Sequence, residues 1–368
     1  MRIKSSHTVN SSILAMGNRL RDAMKETGNE YLLLNRGVNS VVNIDLKPII
    51  EQIDFNSNSI QVYPGSNGKY ELRKAINEEY FENKADINDI IITGGGISGL
   101  DIAVQNIEAD EIILPKFFWG SYAQLLNLRQ IKYSNYESYE ILNNQASELN
   151  DKAVIICDPG NPKGDKYPDQ KLIELIEKLD NSGATIIFDS PYRRLFYDRT
   201  DSFYQKLLAL KNVIIVESFS KSLGLSGQRI GFLHTTNKNF NEEALLRITY
   251  ATNGVNSFSQ VLIAKLLSTP EGQKSIAEFK SKTLVDIKKN IEFLKHNNLL
   301  ATELYEDTDP VGIFTIINKA PEELFNHRIG SVGLDYFVAK PFNGIEKLSR
   351  ILVSYPHKKF VSFFESLK

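Results

Sequence analysis

Six short apolar runs recur through the middle of the chain, at residues 90–93, 111–114, 153–157, 185–189, 213–217 and 230–234, and each ends abruptly in polar or glycine residues. A run that is apolar at successive positions, rather than at every second one, must be covered on both faces. Interior strands of a parallel sheet with helices above and below meet that need. Helix-period stretches lie between several of the runs. In residues 169–180, for example, Leu172, Ile173, Leu175, Ile176 and Leu179 fall on one face. Strand and helix in alternation predict an α/β fold around a mostly parallel sheet.

A chain of 368 residues is long for one hydrophobic core, so a large domain and a smaller companion are expected. The pattern changes after the strand series, with a long helical stretch over 271–298 and a mixed α/β tail. The expected division is an N-terminal arm over 1–45 packed on the small domain, a large domain over 46–255 and a small domain over 256–368. With 43 basic and 45 acidic residues the chain has no electrostatic footprint for nucleic acid or an anionic membrane, which leaves a small molecule or another protein as partner. No apolar run approaches the ~20 residues of a membrane span. The single cysteine, Cys157, excludes an intramolecular disulfide and reads as a buried strand residue. The polar start lacks the apolar region of a signal peptide, and the chain is expected in the cytoplasm. The five histidines show no metal-ligand spacing, so no metal site is expected.

In open parallel sheets, ligands bind beyond the carboxyl ends of the strands. Four of the runs are followed there by Gly94-Gly95-Gly96-Ile97-Ser98-Gly99, Asp158-Pro159-Gly160-Asn161-Pro162, Asp189-Ser190-Pro191-Tyr192 and Ser218-Phe219-Ser220-Lys221. In this order the motifs resemble the fold type I pyridoxal-phosphate enzymes, specifically the class I/II aminotransferases. The resemblance implies a large domain with a seven-stranded, mostly parallel sheet flanked by helices. It also implies a smaller α/β domain built from the N- and C-terminal segments.

The same resemblance implies roles. Lys221 corresponds to the lysine that holds pyridoxal 5'-phosphate as a Schiff base, and a lysine suits the task once burial or a neighbouring cation lowers its pKa. Ser218, Arg229 and the backbone amides of Gly96 and Ile97 correspond to the phosphate ligands, in accord with the free N–H groups that a helix N-terminus offers an anion. Asp189 corresponds to the carboxylate that keeps the pyridine nitrogen protonated. Tyr192 and Asn161 correspond to the residues that hydrogen-bond the phenolic oxygen. An aromatic residue stacks on the ring in the family. Spacing from Pro115 selects Phe117 and spacing back from Tyr122 selects Trp119, and Trp119 is the expectation. Tyr63, in Tyr63-Pro64-Gly65, corresponds to a tyrosine that reaches the phosphate of the other subunit, which implies a homodimer. Arg350 corresponds to the arginine that grips the substrate carboxylate, a task for its planar fork. Gly37 corresponds to a backbone amide on the same carboxylate. One departure is that this chain reads Asp158-Pro159-Gly160-Asn161-Pro162-Lys163-Gly164 where the family commonly has Asn-Pro-x-Asn-Pro-Thr-Gly.

The expected activity is transamination between an amino acid and a 2-oxo acid. The same scaffold also hosts decarboxylases, β-lyases and cyclising dehydratases. A non-catalytic sensor is disfavoured because Lys221, Asp189, Tyr192 and Arg229 are all retained.

Overall fold

The computed structural model describes residues 1–305 and 309–367; Glu306, Asp307, Thr308 and Lys368, all within the expected small domain, lie outside the described residues. Its strands are β1 Leu32–Leu33, β2 Ile90–Thr93, β3 Ile112–Pro115, β4 Tyr133–Tyr136, β5 Ala153–Cys157, β6 Thr185–Asp189, β7 Val213–Ser218, β8 Gly231–His234, β9 Phe314–Ile317, β10 Ile329–Gly330, β11 Val332–Gly333 and β12 Ser349–Leu352.

Seven of them form one sheet in the order β2-β8-β7-β6-β5-β3-β4. Only β8 runs against its neighbours, pairing antiparallel with both β2 and β7. The apolar runs become these strands because both sheet faces are covered. Along β5, Val154 and Ile156 join one buried cluster while Ala153 and Ile155 join the other. Helices Tyr70–Phe81, Gly96–Asn106 and Asp169–Asn181 pack on the sheet. The edge strand β4 has the sequence Tyr-Ser-Asn-Tyr and is only half-buried over its first three residues. It has no apolar run, and the sequence reading did not find it.

A second, three-stranded antiparallel sheet has the order β11-β12-β9, and β1 pairs parallel with β10. Helix Ser12–Thr27 packs on β10 and β11 through Leu20, so residues from the two ends of the chain share one unit. Helix Pro270–His296 runs beside the C-terminal helix His357–Phe364. Helix Ser257–Ser268, on the small-domain side of the expected boundary, packs against both helix Tyr70–Phe81 and helix Pro270–His296. No helix among the described residues is long and apolar enough to cross a membrane.

The large sheet is held on one face by a cluster of rings around Phe232, whose centroid lies 5.0 Å from Tyr80 and 6.3 Å from Phe81, both edge-on, and 6.1 Å from the tilted ring of Phe219. Phe219 follows the last residue of β7, so this cluster sits directly beneath the segment that carries Lys221. Phe232→Ala should lower the unfolding free energy by about 3–5 kcal/mol. A denaturant titration should show an earlier midpoint with unchanged slope.

Candidate active site

The carboxyl ends of β2, β5, β6 and β7 bring the four motifs to one edge of the sheet, and the β12 unit closes over them. Ser218, the last residue of β7, caps the one-turn helix Phe219–Ser222 by accepting from the Ser220 amide at 3.3 Å. Lys221 sits on that turn, half-buried, and its Nζ donates to the Gly37 carbonyl. Burial, and then the nearby Arg350 and Arg229 guanidinium groups, lower its pKa to about 8. The resemblance assigned Gly37 an amide role; the structure brings its carbonyl to the lysine. A side chain there would not fit, since a Cβ would stand 2.6 Å from the Phe314 ring.

Next to Ser218, the turn after β2 forms a cup. Gly95 has φ +90°, which disfavours any L side chain, and a Cβ on it would lie 2.6 Å from Arg229 Nη2. Helix Gly96–Asn106 begins here with no side-chain cap and no acidic residue in its first turn, so its free amides and positive dipole end face outward without a partner anion. The Arg229 guanidinium is held at the rim by the Ser226 carbonyl at 3.0 Å and the Gly94 carbonyl at 3.4 Å. Ser218 therefore stands beside Gly96 and Arg229 beside Gly95, with Ile97 in the first helical turn.

At the other end of the site stands Asp189, the last residue of β6. Tyr122 donates to its Oδ2, and its other oxygen has no hydrogen-bond partner among the described residues. Burial pushes this carboxyl up to about 7, and the Tyr122 bond opposes the shift. The three consecutive aromatics before it separate cleanly. Phe118 is buried in the large-domain core, Phe117 packs edge-on against Phe342 at 6.3 Å, and Trp119 lies edge-on to Tyr122 at 5.6 Å. Of the three, Trp119 adjoins the Tyr122–Asp189 pair. Tyr122 itself served the sequence reading only as a landmark for spacing. Its fixed offset from Trp119, one helical turn, was the available signal.

Between these ends, Asn161 Nδ2 donates to the Tyr192 hydroxyl at 3.1 Å, and Arg350 Nη1 donates to Asn161 Oδ1 at 3.3 Å. Burial raises the Tyr192 hydroxyl well above the ordinary phenol range. Arg350 is 1 % exposed, sandwiched by Phe314 and Phe337 at 4.1 and 4.6 Å; its Nη2 donates to the Asn35 carbonyl, and its Nε has no partner among the described residues. Burial lowers its pKa to about 10. Asn35 was another residue the sequence reading missed.

An ion network fixes the two loops that carry Asn161 and Tyr192. Asp158 pairs with Lys166 at 2.9 Å, Lys166 with Asp169 at 2.5 Å, and the fully buried Arg193 forks between Asp169 and Asp201. Its guanidinium also lies 4.0 Å from the Phe203 ring. Asp158, which with Lys163 departs from the family motif, thus has a local cation to match it.

Tyr63 lies apart from this cluster and is 81 % exposed. Its segment is tied down by the Ser257 hydroxyl, which donates to the Val62 carbonyl at 3.2 Å, and by Ser66 with Thr249 at 2.7 Å. A cavity of about 610 Å³ runs from the cup residues Gly94, Ser98 and Arg229 to Val255 and Phe258 close by.

The family model for aminotransferase class I and II matches residues 23–326. Among curated proteins, a histidinol-phosphate aminotransferase of Brachyspira hyodysenteriae is 26% identical over 78% of this chain and 85% of its own length. An aspartate aminotransferase of Pyrococcus horikoshii is 26% identical over 59% of each chain. Among solved structures, the aspartate aminotransferase of Thermus thermophilus with maleate superposes with a TM-score of 0.82 at 17% identity, covering 100% of this chain and 99% of that one, a likeness of fold. The chain belongs to the class I and II aminotransferases, pyridoxal-phosphate-dependent enzymes that transfer amino groups.

Proposed function

We propose that this aminotransferase exchanges an amino group between an amino acid and a 2-oxo acid, with Lys221 as the residue that attaches the cofactor and moves the substrate's α-proton. The observation that carries this reading is the meeting, around the half-buried Lys221, of an anion cup at one end and the buried Asp189 carboxyl at the other. The donor set fits pyridoxal phosphate. Gly95 admits close approach of a phosphate to backbone, Asp189 keeps one oxygen without a partner for a ring N–H, and the orphaned Nε of Arg350 awaits an acceptor. Ser218, Gly96, Ile97 and Arg229 would hold the phosphate, Trp119 would cover the ring, and Asn161 with Tyr192 would bond its phenolic oxygen.

When bound, the cofactor supplies an aldehyde for the incoming amine and a protonated ring that withdraws electrons from the substrate's α-carbon. The chain's residues do the rest. Arg350 orients the substrate through its α-carboxylate, and Phe314 and Phe337 exclude water from that pair. Lys221 Nζ, near half-protonation at slightly alkaline pH, would take up the substrate's α-proton and hold it for return. Arg350 favours chemistry that keeps the carboxylate, hence transamination over decarboxylation.

The reading includes a homodimer with shared sites. Val62, Tyr63 and Tyr250 are exposed, two of them more than 80 %, beside the cavity that opens on the cup. It also includes the division into an arm over 1–45, a large domain over 46–255 and a small domain over 256–368, and a cytoplasmic setting, in keeping with one buried thiol at Cys157.

Lys221→Ala should abolish the borohydride-fixable visible absorbance of the purified enzyme and reduce turnover by about 10²–10⁴-fold; an unchanged band would remove Lys221 from its role. In the cofactor-free protein, Asp189 keeps a proton between its open-chain value of 3.8 and about 7, where the unfolded chain has lost it. Its contribution therefore makes stability fall as pH rises through that window, by at most about 1.4 kcal/mol per pH unit. Unfolding free energies of Asp189→Asn should decline less between about pH 5 and 7 than those of the parent, and parallel curves would count against the buried acid. Tyr63→Ala should weaken cofactor binding about tenfold in a titration of the apoprotein, without changing its melting temperature.

A further inference from the structure

We propose that Glu217 is a positioning residue that serves the phosphate end of the site in its neutral, protonated form and loosens that end when it ionises. The inference rests on the reading of Ser218 as a phosphate ligand.

Glu217 occupies a place where the fold calls for a hydrocarbon side chain. Along β7, Val213 and Ile215 join one buried cluster while Ile214 and Val216 join the other, so alternation puts residue 217 on the face of Val213 and Ile215. There it pairs across the ladder with Phe232 and is 0 % exposed. An acid so placed is costly to bury, and both of its oxygens are engaged by groups of the site. Oε1 accepts from the Ser218 amide at 2.8 Å. Oε2 lies 2.6 Å from the Tyr204 hydroxyl, which in turn lies 2.8 Å from that of Ser190. Ser190 follows Asp189, and Ser218 begins the turn of Lys221. Ser222, next to Lys221, closes that turn by donating to the Ser218 carbonyl at 3.4 Å.

The groups that face this carboxyl favour its proton. Burial holds the Tyr80 and Tyr204 phenols neutral, and Asp189 is an acid close enough for its charge to oppose a second one. Two cations approach from the neighbouring helices, and neither forms an ion pair with Glu217 among the described residues. Arg194 donates to the Glu79, Tyr80 and Asp198 carbonyls and lies 4.9 and 5.4 Å from the Tyr80 and Tyr204 rings. Lys280 reaches the Tyr197 carbonyl at 3.5 Å, and Glu79 and Asp198 act on its charge more strongly than Glu217 does. Burial thus raises Glu217 to about 8, against the Tyr204 and Ser218 bonds and the Arg194 charge.

The two protonation states set the chain of bonds differently. In the neutral form the carboxyl's own proton fills the bond to Tyr204, the phenol turns its proton to Ser190, and Oε1 still receives the Ser218 amide. In the ionised form Tyr204 donates to the carboxylate, and a full negative charge stands one residue from the side chain that would hold a phosphate dianion. Like charges repel strongly in a dry interior.

The test is calorimetry of pyridoxamine 5'-phosphate, which carries the phosphate and forms no covalent bond with Lys221, on the cofactor-free full chain. A ligand that favours the neutral acid raises its pKa in the complex, so the Glu217 contribution to affinity is present below about 8 and lost above it. Glu217→Gln keeps both bonds without a charge. The parent should match it within about twofold at about pH 7 and bind about tenfold more weakly than it at about pH 9.5. The titrations of Lys221 and Asp189 are common to both proteins and cancel in that ratio. Glu217→Leu, which suits the apolar face and lacks both bonds, should bind about tenfold more weakly than Glu217→Gln at either pH. A parent-to-Gln ratio that does not change with pH, or Leu binding as tightly as Gln, overturns the proposal. Ser218→Ala should weaken binding by a similar factor at both pH values. Unchanged binding there removes Ser218 from the phosphate, a failure distinct from that of Glu217.

Discussion

The burial of ionisable groups at the carboxyl ends of β5, β6 and β7 is the constraint on which the site depends. Parallel strands flanked by helices end in a place walled off from water on both sides, and a carboxyl there resists ionisation. Asp189 is raised to about 7 and Asp158 to about 6 in this way, and Glu217, one residue before the end of β7, to about 8. Each has a dedicated donor. Tyr122 serves Asp189, Lys166 and the Tyr167 amide serve Asp158, and Tyr204 with the Ser218 amide serves Glu217. The apolar sheet supplies the environment, and these partners determine where each proton sits.

The reactive amine depends on the second unit as much as on the sheet. Lys221 comes from the end of β7, but the groups that hold and depress it, the Gly37 carbonyl and Arg350, belong to the terminal segments. Arg350 lies on β12 and reaches both Asn35 from the start of the chain and Asn161 from the large domain. A single guanidinium therefore ties three separate stretches of sequence together, and its burial between two phenylalanine rings fixes it before any carboxylate arrives.

What the sequence revealed follows from what each position needs. Interior strands require apolar residues on both faces, so β2, β5 and β6 were legible residue for residue. β4 needs cover on fewer sides, and Tyr-Ser-Asn-Tyr carries no such mark. The motif order marked Lys221, Asp189 and Asn161, and the structure puts Asp189 at the end of β6 and the other two shortly beyond β7 and β5. Asn35 carried no mark, because it contributes a backbone carbonyl, which any residue has. The same reason explains Gly37: the short match located the residue, while the functional atom is set by the tertiary approach of Lys221.

The two ends of the site differ in a way that suits electron withdrawal. At the cup, Arg229, the amides of helix Gly96–Asn106 and its dipole set a positive field. At the far end, Asp189 and Glu217 are linked through Ser190 and Tyr204, with hydroxyl separations of 2.8 Å between the last two and 2.6 Å from Tyr204 to Glu217. This chain joins the end of β6 to the end of β7, so Asp189 and the residue that begins the Lys221 turn cannot shift independently. The geometry between Asp189 and Lys221 is thereby set by hydrogen bonds beneath the site, and it persists whichever amino acid occupies the space above.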